Sequence, residues 1–239
     1  MSRRGAGPVV IAGGGTGGHV FPDIAVAREL RRRRPERRIE WIGTRGGMEE
    51  RLVPGEDIPL TLLPLAGAAR LGLARKVKAG ALALLGTLRC IARFAQSRPV
   101  LLIGVGGFAS GPAALAALML GVPLLLLEQN ATPGATNRWL SSRAAATAVS
   151  FEEGREALKG RVVVTGNPVR DDIAKIGPRS AGAVREVLSF GGSRGAQSLN
   201  EAWMGAASQL EDLPLRFVIQ TGPRDHERVA QAVSATSLN

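Results

Sequence analysis

A glycine-rich turn near the start of the chain constrains its fold more than any other feature. The apolar run Val9–Ala12 leads into Gly13-Gly14-Gly15-Thr16-Gly17-Gly18-His19, and an amphipathic stretch begins at Asp23. Glycines let the backbone approach an anion closely, and the N–H groups that open a helix are unpaired donors at the positive end of its dipole. The pattern predicts a strand, a tight turn and a helix, with a phosphate site at the turn and the ring of His19 at its mouth.

The same turn has two other interpretations. Gly13, Gly15 and Gly18 satisfy G-x-G-x-x-G, the pattern of dinucleotide-binding proteins, which also place an acidic residue at the end of the second strand to hold a ribose. Here the second strand ends in Thr44, and Glu40 lies inside it. We therefore expect no nicotinamide or flavin cofactor. A tight turn that binds no ligand is the second alternative.

Apolar runs separated by glycine and polar stretches recur along most of the chain. They predict strands at Pro8–Ala12, Arg38–Gly43, Leu60–Leu65, Val100–Val105, Val122–Glu128, Ala145–Val149 and Val162–Val164. Helices or loops lie between most of them. This alternation predicts the α/β class, a doubly wound sheet with ligands at the carboxyl ends of its strands.

The segment from Val100 to Leu127 has no charged residue and is long enough for a membrane span. Glycine and proline interrupt it at Gly106-Gly107, Gly111-Pro112 and Gly121-Val122-Pro123. Since these breaks fall where a strand–helix–strand unit needs its turns, we predict such a unit rather than a span.

Charge and composition restrict the partners. The 239 residues carry a net charge of +11, which favours anionic partners, but aromatic residues are only 4% and no tyrosine occurs. Because aromatic side chains that could stack on bases are scarce and no helix-turn-helix or zinc pattern is present, we expect no nucleic acid to bind.

The cysteine content and the N-terminus predict a cytoplasmic protein. The single cysteine, Cys90, excludes an internal disulfide, and no apolar leader follows Met1.

Two domains are predicted. Residues 1–166 form the first, 167–186 a linker, and 187–239 the start of a second, where Val187 opens another strand, glycine turn and helix. The residues after Ser189 are fewer than the roughly 100–150 of a typical domain. We expect the second domain to be incomplete.

Five motifs together resemble one family. They are Gly13-Gly14-Gly15-Thr16-Gly17-Gly18-His19-Val20-Phe21-Pro22, Gly106-Gly107-Phe108-Ala109-Ser110-Gly111-Pro112, Glu128-Gln129-Asn130, Gly166-Asn167-Pro168-Val169-Arg170, and the run from Gly191 to Asn200. In order and spacing they are similar to the MurG family of peptidoglycan glycosyltransferases, and the likeness covers essentially the whole chain. The resemblance implies the GT-B arrangement of two Rossmann-like domains. It also implies transfer of N-acetylglucosamine from UDP-N-acetylglucosamine to the muramoyl sugar of lipid I, linked to undecaprenyl diphosphate, which gives lipid II.

The resemblance also implies roles for single residues. His19 and Glu128 match polar residues on the acceptor side, where a base removes the proton of the attacking hydroxyl, and either could be that base. The substrate-binding positions that the family implies are Thr16, Gly17, Gly18, Asn130, Arg170, Ser193 and Asn200. An imidazole suits proton removal near neutral pH. The alternatives are that His19 only bonds backbone or acceptor phosphate, and that Glu128 caps its strand.

The implied chemistry inverts the anomeric centre and needs no metal. UDP leaves with developing negative charge, which helix-terminal N–H groups near Ser193 would stabilise, and no D-x-D metal motif is evident.

The sequence departs from the family pattern at two positions. Leu127 stands where members of the MurG family often have His, and Phe108 stands where they commonly have Tyr. The family's later donor-recognition segment has no counterpart before Asn239, so we expect these 239 residues to transfer sugar poorly or not at all.

A helix predicted from about Ala74 to Ala95 has two stripes. The residues expected to face the core are Val77, Ala81, Leu84, Leu88, Ile91 and Ala95. The second stripe, expected to face anionic lipid, comprises Lys78, Leu82, Leu85, Arg89 and Arg93. This predicts peripheral attachment to the cytoplasmic face of the bacterial cell membrane, the alternative being a solvated basic face.

The sequence is compatible with two other functions. A related GT-B glycosyltransferase acting on another lipid or sugar acceptor would share both glycine turns. A fragment that binds a membrane precursor without catalysis would lack affinity for the UDP-sugar.

Overall fold

The computed structural model describes residues 7–65, 73–177, 182, 186–192 and 195–234, with backbone only at 73–76, 78 and 108. The chain divides into two compact units, Met1–Ile176 and Gly177–Asn239.

The first unit contains a seven-stranded parallel sheet. Its strands are β1 (Val9–Ala12), β2 (Ile39–Thr44), β3 (Leu60–Leu63), β4 (Leu101–Gly104), β5 (Leu124–Glu128), β6 (Ala146–Val149) and β7 (Val162–Val164). Their order is β3-β2-β1-β4-β5-β6-β7. This is the doubly wound order of a Rossmann-like fold, in which the chain reverses its direction of progress between β1 and β4. Ligands bind such sheets in the crevice beyond the carboxyl ends of those two strands.

Strand β1 lies inside the sheet, between β2 and β4, and is apolar on both faces. Its first residue, Val9, pairs with Ile39 of β2 and with Leu101 of β4. Alternate residues then enter different clusters: Val10 belongs to one core cluster, and Ile11 to the other. Parallel strands that are covered by helices on both faces have this uniformly apolar composition.

Helices and short turns connect the strands of the first unit. They are α1 (Gly17–Arg33), α2 (Glu49–Leu52), α3 (Leu73–Gln96), α4 (Gly107–Met119), α5 (Ala135–Leu140), α6 (Glu153–Glu156) and α7 (Asp171–Ala174). The predicted α/β class and the predicted strands are confirmed. No helix within the described ranges is long and apolar enough to cross a membrane.

The charge-free segment forms β4, α4 and β5, as predicted. Helix α4 begins at Gly107, so Gly111-Pro112, expected to fall at a turn, lies inside the helix. The turn is made by Gly106 and Gly107, whose φ angles of 81° and 75° suit glycine. Because these two glycines reverse the chain at once, no separate loop is needed between β4 and the helix.

Helix α3 presents a different face to the core from the one predicted. Thr87, Cys90 and Phe94 are buried, whereas the side chains of Val77, Leu84 and Leu88, expected in the core, are 67%, 63% and 54% exposed. The close approach of α4 at Gly86 explains the difference. A Cβ atom at Gly86 would lie 3.4 Å from Pro112 of α4, so the two helices meet along the side of α3 that carries glycine. Leu82 and Ile91 also pack against the core, and Leu84 and Leu88 are left on the outer side.

The second unit contains a parallel pair of strands, β8 (Glu186–Phe190) and β9 (Arg216–Gln220), in which Glu186 pairs with Arg216. Helices α8 (Gln197–Ala206) and α9 (His226–Ser234) accompany them. Trp203 of α8 packs edge-on against Phe217 of β9, with ring centroids 5.2 Å apart. Its indole N–H donates to the hydroxyl of Ser189 at 2.6 Å. The unit therefore repeats the strand–turn–helix pattern of the first.

Candidate functional site

The glycine turn after β1 is held from behind by a buried carboxylate, that of Glu49. Its side chain is fully buried, and its Oε2 accepts the backbone N–H of Gly15 at 2.6 Å. Its Oε1 accepts the backbone N–H and the hydroxyl of Thr44 at 2.8 and 2.9 Å. Sequence reasoning missed Glu49 because nothing in the local pattern distinguishes it from the exposed Glu50 beside it.

Three glycines make room for this carboxylate. A Cβ atom at Gly14, Gly43 or Gly47 would lie 2.1, 2.5 or 2.2 Å from the nearest side-chain atom of Glu49. Real Cβ atoms do not approach other atoms so closely. Glycine at these positions is therefore a signal for a buried neighbour, although the sequence alone does not say which one.

The first turn of α1 contains backbone donors that have no intrahelical acceptor. Thr16 is the N-cap, and its side chain makes no capping hydrogen bond. The N–H groups of His19 and Val20 both donate to the carbonyl of Thr16, each at 3.1 Å. The preceding N–H groups, of Gly17 and Gly18, have no intrahelical acceptor because they open the helix. Thr16, Gly17 and Gly18, three of the predicted binding residues, thus lie together at this helix end.

His19 lies on α1, half-buried, with its ring held at one nitrogen. Nδ1 lies 3.0 Å from Oε1 of Gln129. Because a carboxamide oxygen only accepts, Nδ1 is the donor in this contact, and in the neutral ring Nε2 then keeps its lone pair. No contact within the described part of the chain engages Nε2. A Cβ atom at Gly106 would lie 3.9 Å from the ring, so His19 reaches the turn after β4.

Glu128 ends β5 and is 3% exposed. Its Oε1 accepts the backbone N–H and the side-chain amide of Asn130 at 3.0 and 2.8 Å. Its Oε2 accepts the N–H of Gly134 at 2.9 Å and the side-chain amide of Asn137 at 3.0 Å. Four donors thus converge on this carboxylate and fix the loop from Gln129 to Gly134.

His19, Glu128 and Asn130 line one cavity of about 360 Å³. Its other lining residues are mostly small: Gly106, Gly107, Gly111, Pro112, Gly134, Ala135 and Thr136. Helix α4 begins at the cavity wall, so its N-terminal dipole favours a negative charge there. Among the described residues no group of three or more His, Cys, Asp or Glu side chains is arranged to hold a metal ion.

Arg170 lies at a different cavity of the first unit. Its guanidinium carbon lies 5.4 Å from the centre of the Phe21 ring, and the group pairs with Asp172 at 3.2 Å. This cavity, of about 430 Å³, is also lined by Arg28 and Glu56, which form an ion pair at 2.6 Å. Within the first unit, Arg170 does not line the cavity that contains His19.

In the second unit Asn200 is 1% exposed and joins α8 to the segment after β9. Its side-chain amide donates to the carbonyl of Thr221 at 2.9 Å and to Asp225 at 3.1 Å. A Cβ atom at Gly195 would lie only 1.9 Å from the same carbonyl oxygen, so the glycine turn packs directly on this segment. The predicted binding residue Ser193 lies outside the described residues.

Comparison with known proteins gives consistent results. Residues 9–149 match the N-terminal domain of glycosyltransferase family 28. A curated relative from Methylococcus capsulatus is 43% identical over 223 residues, covering 93% of this chain and 61% of the relative. One from Desulforudis audaxviator is 38% identical over 244 residues, covering 95% and 64%. Both are named UDP-N-acetylglucosamine--N-acetylmuramyl-(pentapeptide) pyrophosphoryl-undecaprenol N-acetylglucosamine transferase. The chain thus spans less than two thirds of the length of these relatives.

Solved structures show the same similarity. The crystal structure of MurG from Acinetobacter baumannii matches with a TM-score of 0.67 and 30% identity, covering 98% of this chain and 64% of that one. A UDP-GlcNAc 2-epimerase from Neisseria meningitidis bound to UDP-GlcNAc matches with a TM-score of 0.61, covering 95% and 70%. At 16% identity, the second match shows a shared fold alone.

Proposed function

The chain belongs to glycosyltransferase family 28, and from that membership we propose that it acts in transfer of N-acetylglucosamine from UDP-N-acetylglucosamine to lipid I, forming lipid II. The acceptor is the muramoyl sugar, which carries the peptide and is linked to undecaprenyl diphosphate. In this proposal the first unit is the acceptor domain. The second unit is the beginning of the donor domain in a GT-B arrangement.

The free Nε2 of His19 in a cavity beside a helix N-terminus is the observation that carries the proposal. The acceptor diphosphate binds at the start of α4 and at the first turn of α1, where backbone donors favour an anion. His19 then removes the proton of the sugar hydroxyl as its oxygen attacks the anomeric carbon of the donor. The bond from that carbon to the UDP oxygen breaks, UDP leaves with the electron pair, and the anomeric centre is inverted.

Glu128 has a supporting role in this proposal. Its two oxygens already accept four hydrogen bonds, so little acceptor capacity remains for a substrate proton. It orders the loop that carries Gln129 and Asn130, and Asn130 then contacts the acceptor from the cavity wall. Of the two candidate bases, we therefore assign proton removal to His19.

Donor binding is proposed for the second glycine turn. The UDP diphosphate would bind where Gly191, Gly192 and Ser193 lead into α8, a helix of ten residues whose N-terminal dipole favours the leaving charge. The amide of Asn200 is already bonded to Thr221, so it shapes this turn from within. Arg170 is assigned to the donor as well.

Membrane attachment is proposed through the outer side of α3. Val77, Leu84, Leu85 and Leu88 are exposed there, and the exposed Arg89 adjoins them. Aliphatic side chains next to a cation suit the interface of an anionic bilayer. This would hold the protein peripherally on the cytoplasmic face of the membrane, where a lipid-linked acceptor can enter the cavity.

Calorimetric titration with a soluble lipid I analogue that has a short lipid chain tests the acceptor assignment. We expect the analogue to bind and Gly111→Leu to weaken binding at least about tenfold, because the new side chain would enter the cavity that Gly111 lines. Gly55→Leu is the matched control, since a Cβ atom there meets nothing within 4 Å. Equal affinity in both variants, or no binding by the wild type, would refute the assignment. Binding of NADH instead would favour a dinucleotide site.

A further inference from the structure

A buried carboxyl group lies behind His19, on the side away from the cavity. Asp23 is on α1, one helical turn after His19, and it is fully buried. The side chain of Gln129 connects the two. Its Nε2 lies 3.5 Å from Oδ1 of Asp23, and its Oε1 lies 3.0 Å from Nδ1 of His19. Carboxyl, carboxamide and imidazole thus form one continuous line of polar contacts.

The orientation of the Gln129 amide decides which nitrogen of His19 carries the proton. With Oε1 toward the ring, Nδ1 must donate, and Nε2 keeps its lone pair. With the carboxamide group of Gln129 rotated by 180°, its NH₂ would donate to Nδ1, and the neutral ring would carry its proton on Nε2. Only the first arrangement leaves Nε2 able to accept a proton.

Asp23 is the group that distinguishes the two ends of the amide. Its Oδ1 faces the NH₂ end, and its Oδ2 has no partner in the described structure. Burial, together with the nearby charge of Glu49 on α2, raises the pKa of Asp23 well above its usual value. An ionised carboxylate only accepts and therefore selects the NH₂ end of the amide, and a neutral acid selects the same end when its proton lies on Oδ2, because a proton on Oδ1 would instead donate to the amide oxygen. Glu128, the other carboxylate next to Gln129, is occupied by its four donors.

We propose that Asp23 is a positioning residue that acts through Gln129 to hold His19 in the tautomer with a proton on Nδ1 and a free lone pair on Nε2. That this lone pair accepts the proton of the sugar hydroxyl rests on the proposed function. The tautomer itself is a property of the protein without substrate, so it can be measured whether or not the acceptor assignment holds.

The test is nitrogen-15 NMR of the imidazole rings in the whole chain above the pH at which they become neutral. Only two histidines occur in the chain, and His226→Gln leaves the signals of His19 alone. We expect the wild type to show mainly the form protonated on Nδ1. In Asp23→Leu we expect the ratio of Nδ1–H to Nε2–H forms to fall about fivefold, the effect of one hydrogen bond of ordinary strength.

A rescue separates this role from a purely structural one. In the double variant Asp23→Leu/Gln129→Glu, the side chain at 129 accepts with both oxygens, so the Nδ1–H form should return to its wild-type share. Should Asp23→Leu not fold, as judged by circular dichroism, Asp23→Asn provides the same loss of orientation with nearly the same shape, because a carboxamide can present either its oxygen or its NH₂ to Gln129. A wild-type ring protonated on Nε2, an unchanged ratio in the folded variants, or no recovery in the double variant would each overturn the proposal. Loss of acceptor binding with the tautomer intact would refute only the proposed function.

Discussion

The backbone N–H of Gly15 donates a hydrogen bond of 2.6 Å to Glu49, which lies 34 residues later in the chain. The same carboxylate binds the end of β2 through Thr44. The shape of the glycine turn thus depends on a buried charge on α2 as well as on its own glycines. Because the Gly15 N–H is occupied, the donors left for the proposed acceptor phosphate are those that open α1.

Glu49→Gln should destabilise the first unit. The glutamine would turn an NH₂ group toward N–H donors, so at least one buried donor would lose its acceptor, at a cost of about 1–3 kcal/mol for each donor affected. Urea denaturation followed by circular dichroism measures the effect. Glu36→Gln removes the same charge from an exposed position and should change the free energy of unfolding by less than about 0.5 kcal/mol. Equal stability of the two variants would contradict the role of Glu49.

Gly43→Ala tests the space that the carboxylate requires. The added methyl would lie 2.5 Å from Cγ of Glu49 in a buried strand, so strand and carboxylate must shift apart, at a cost of about 1–3 kcal/mol. Gly55→Ala is the matched control, because no atom lies within 4 Å of its Cβ position. Thermal denaturation should show a lower Tm for the first variant only. A stable Gly43→Ala protein would mean that Glu49 can leave its site.

The strands and their turns could be predicted from the sequence because parallel strands covered on both faces are uniformly apolar and glycine interrupts them. The runs Val9–Ala12 and Leu124–Glu128 became β1 and β5 on that basis. The MurG resemblance drawn from five motifs is confirmed by curated relatives at 38–43% identity. Long apolar runs and glycine turns are local signals, which a single sequence displays directly.

The contacts behind the site could not be predicted in the same way. The partnership of Gly15 with Glu49, and of Asp23 with Gln129, joins residues that are distant in sequence and carry no distinguishing local pattern. The prediction of which face of α3 is buried was wrong for a related reason. Hydrophobic periodicity indicated Leu84 and Leu88 as core, but close packing at Gly86 turns the side of the helix that carries Cys90 and Phe94 inward. Which side of a helix is buried depends on the neighbour it packs against.

The double variant Leu84→Asn/Leu88→Asn should weaken binding to vesicles that contain phosphatidylglycerol by at least about tenfold. Each leucine inserted into a bilayer contributes on the order of 1–2 kcal/mol, and both side chains are more than half exposed. Vesicle sedimentation gives the bound fraction. Raising the salt concentration should weaken the remaining, electrostatic attraction.

Leu213→Asn is the control for this membrane surface. Leu213 is also exposed, at 45%, but it lies in the second unit. Its replacement should leave vesicle binding unchanged. Equal loss in both variants would mean that α3 is not the attachment surface, and equal binding to neutral and anionic vesicles would refute the electrostatic part.

The pH dependence of stability should show the state of Asp23. Because burial and Glu49 raise the pKa of its carboxyl in the folded protein, the native state keeps a proton that the unfolded chain releases above about pH 4. The stability of the wild type relative to Asp23→Asn should therefore be greatest below that pH and fall as the pH rises toward the native pKa. Urea denaturation of both proteins at intervals from pH 4 to pH 8 measures the difference.

Glu29 provides a control of opposite sign. Hydrogen bonds from Arg32 and Arg33 lower the pKa of this exposed carboxylate to about 2, so any stability it contributes is present above about pH 4 and is lost as the pH falls. The difference between wild type and Glu29→Gln should thus decrease toward acid, and it should be small because water screens the pair. If the Asp23 difference also decreased toward acid, Asp23 would be ionised in the native state. The unpartnered Oδ2 would then hold a buried negative charge beside Glu49, which its environment strongly disfavours.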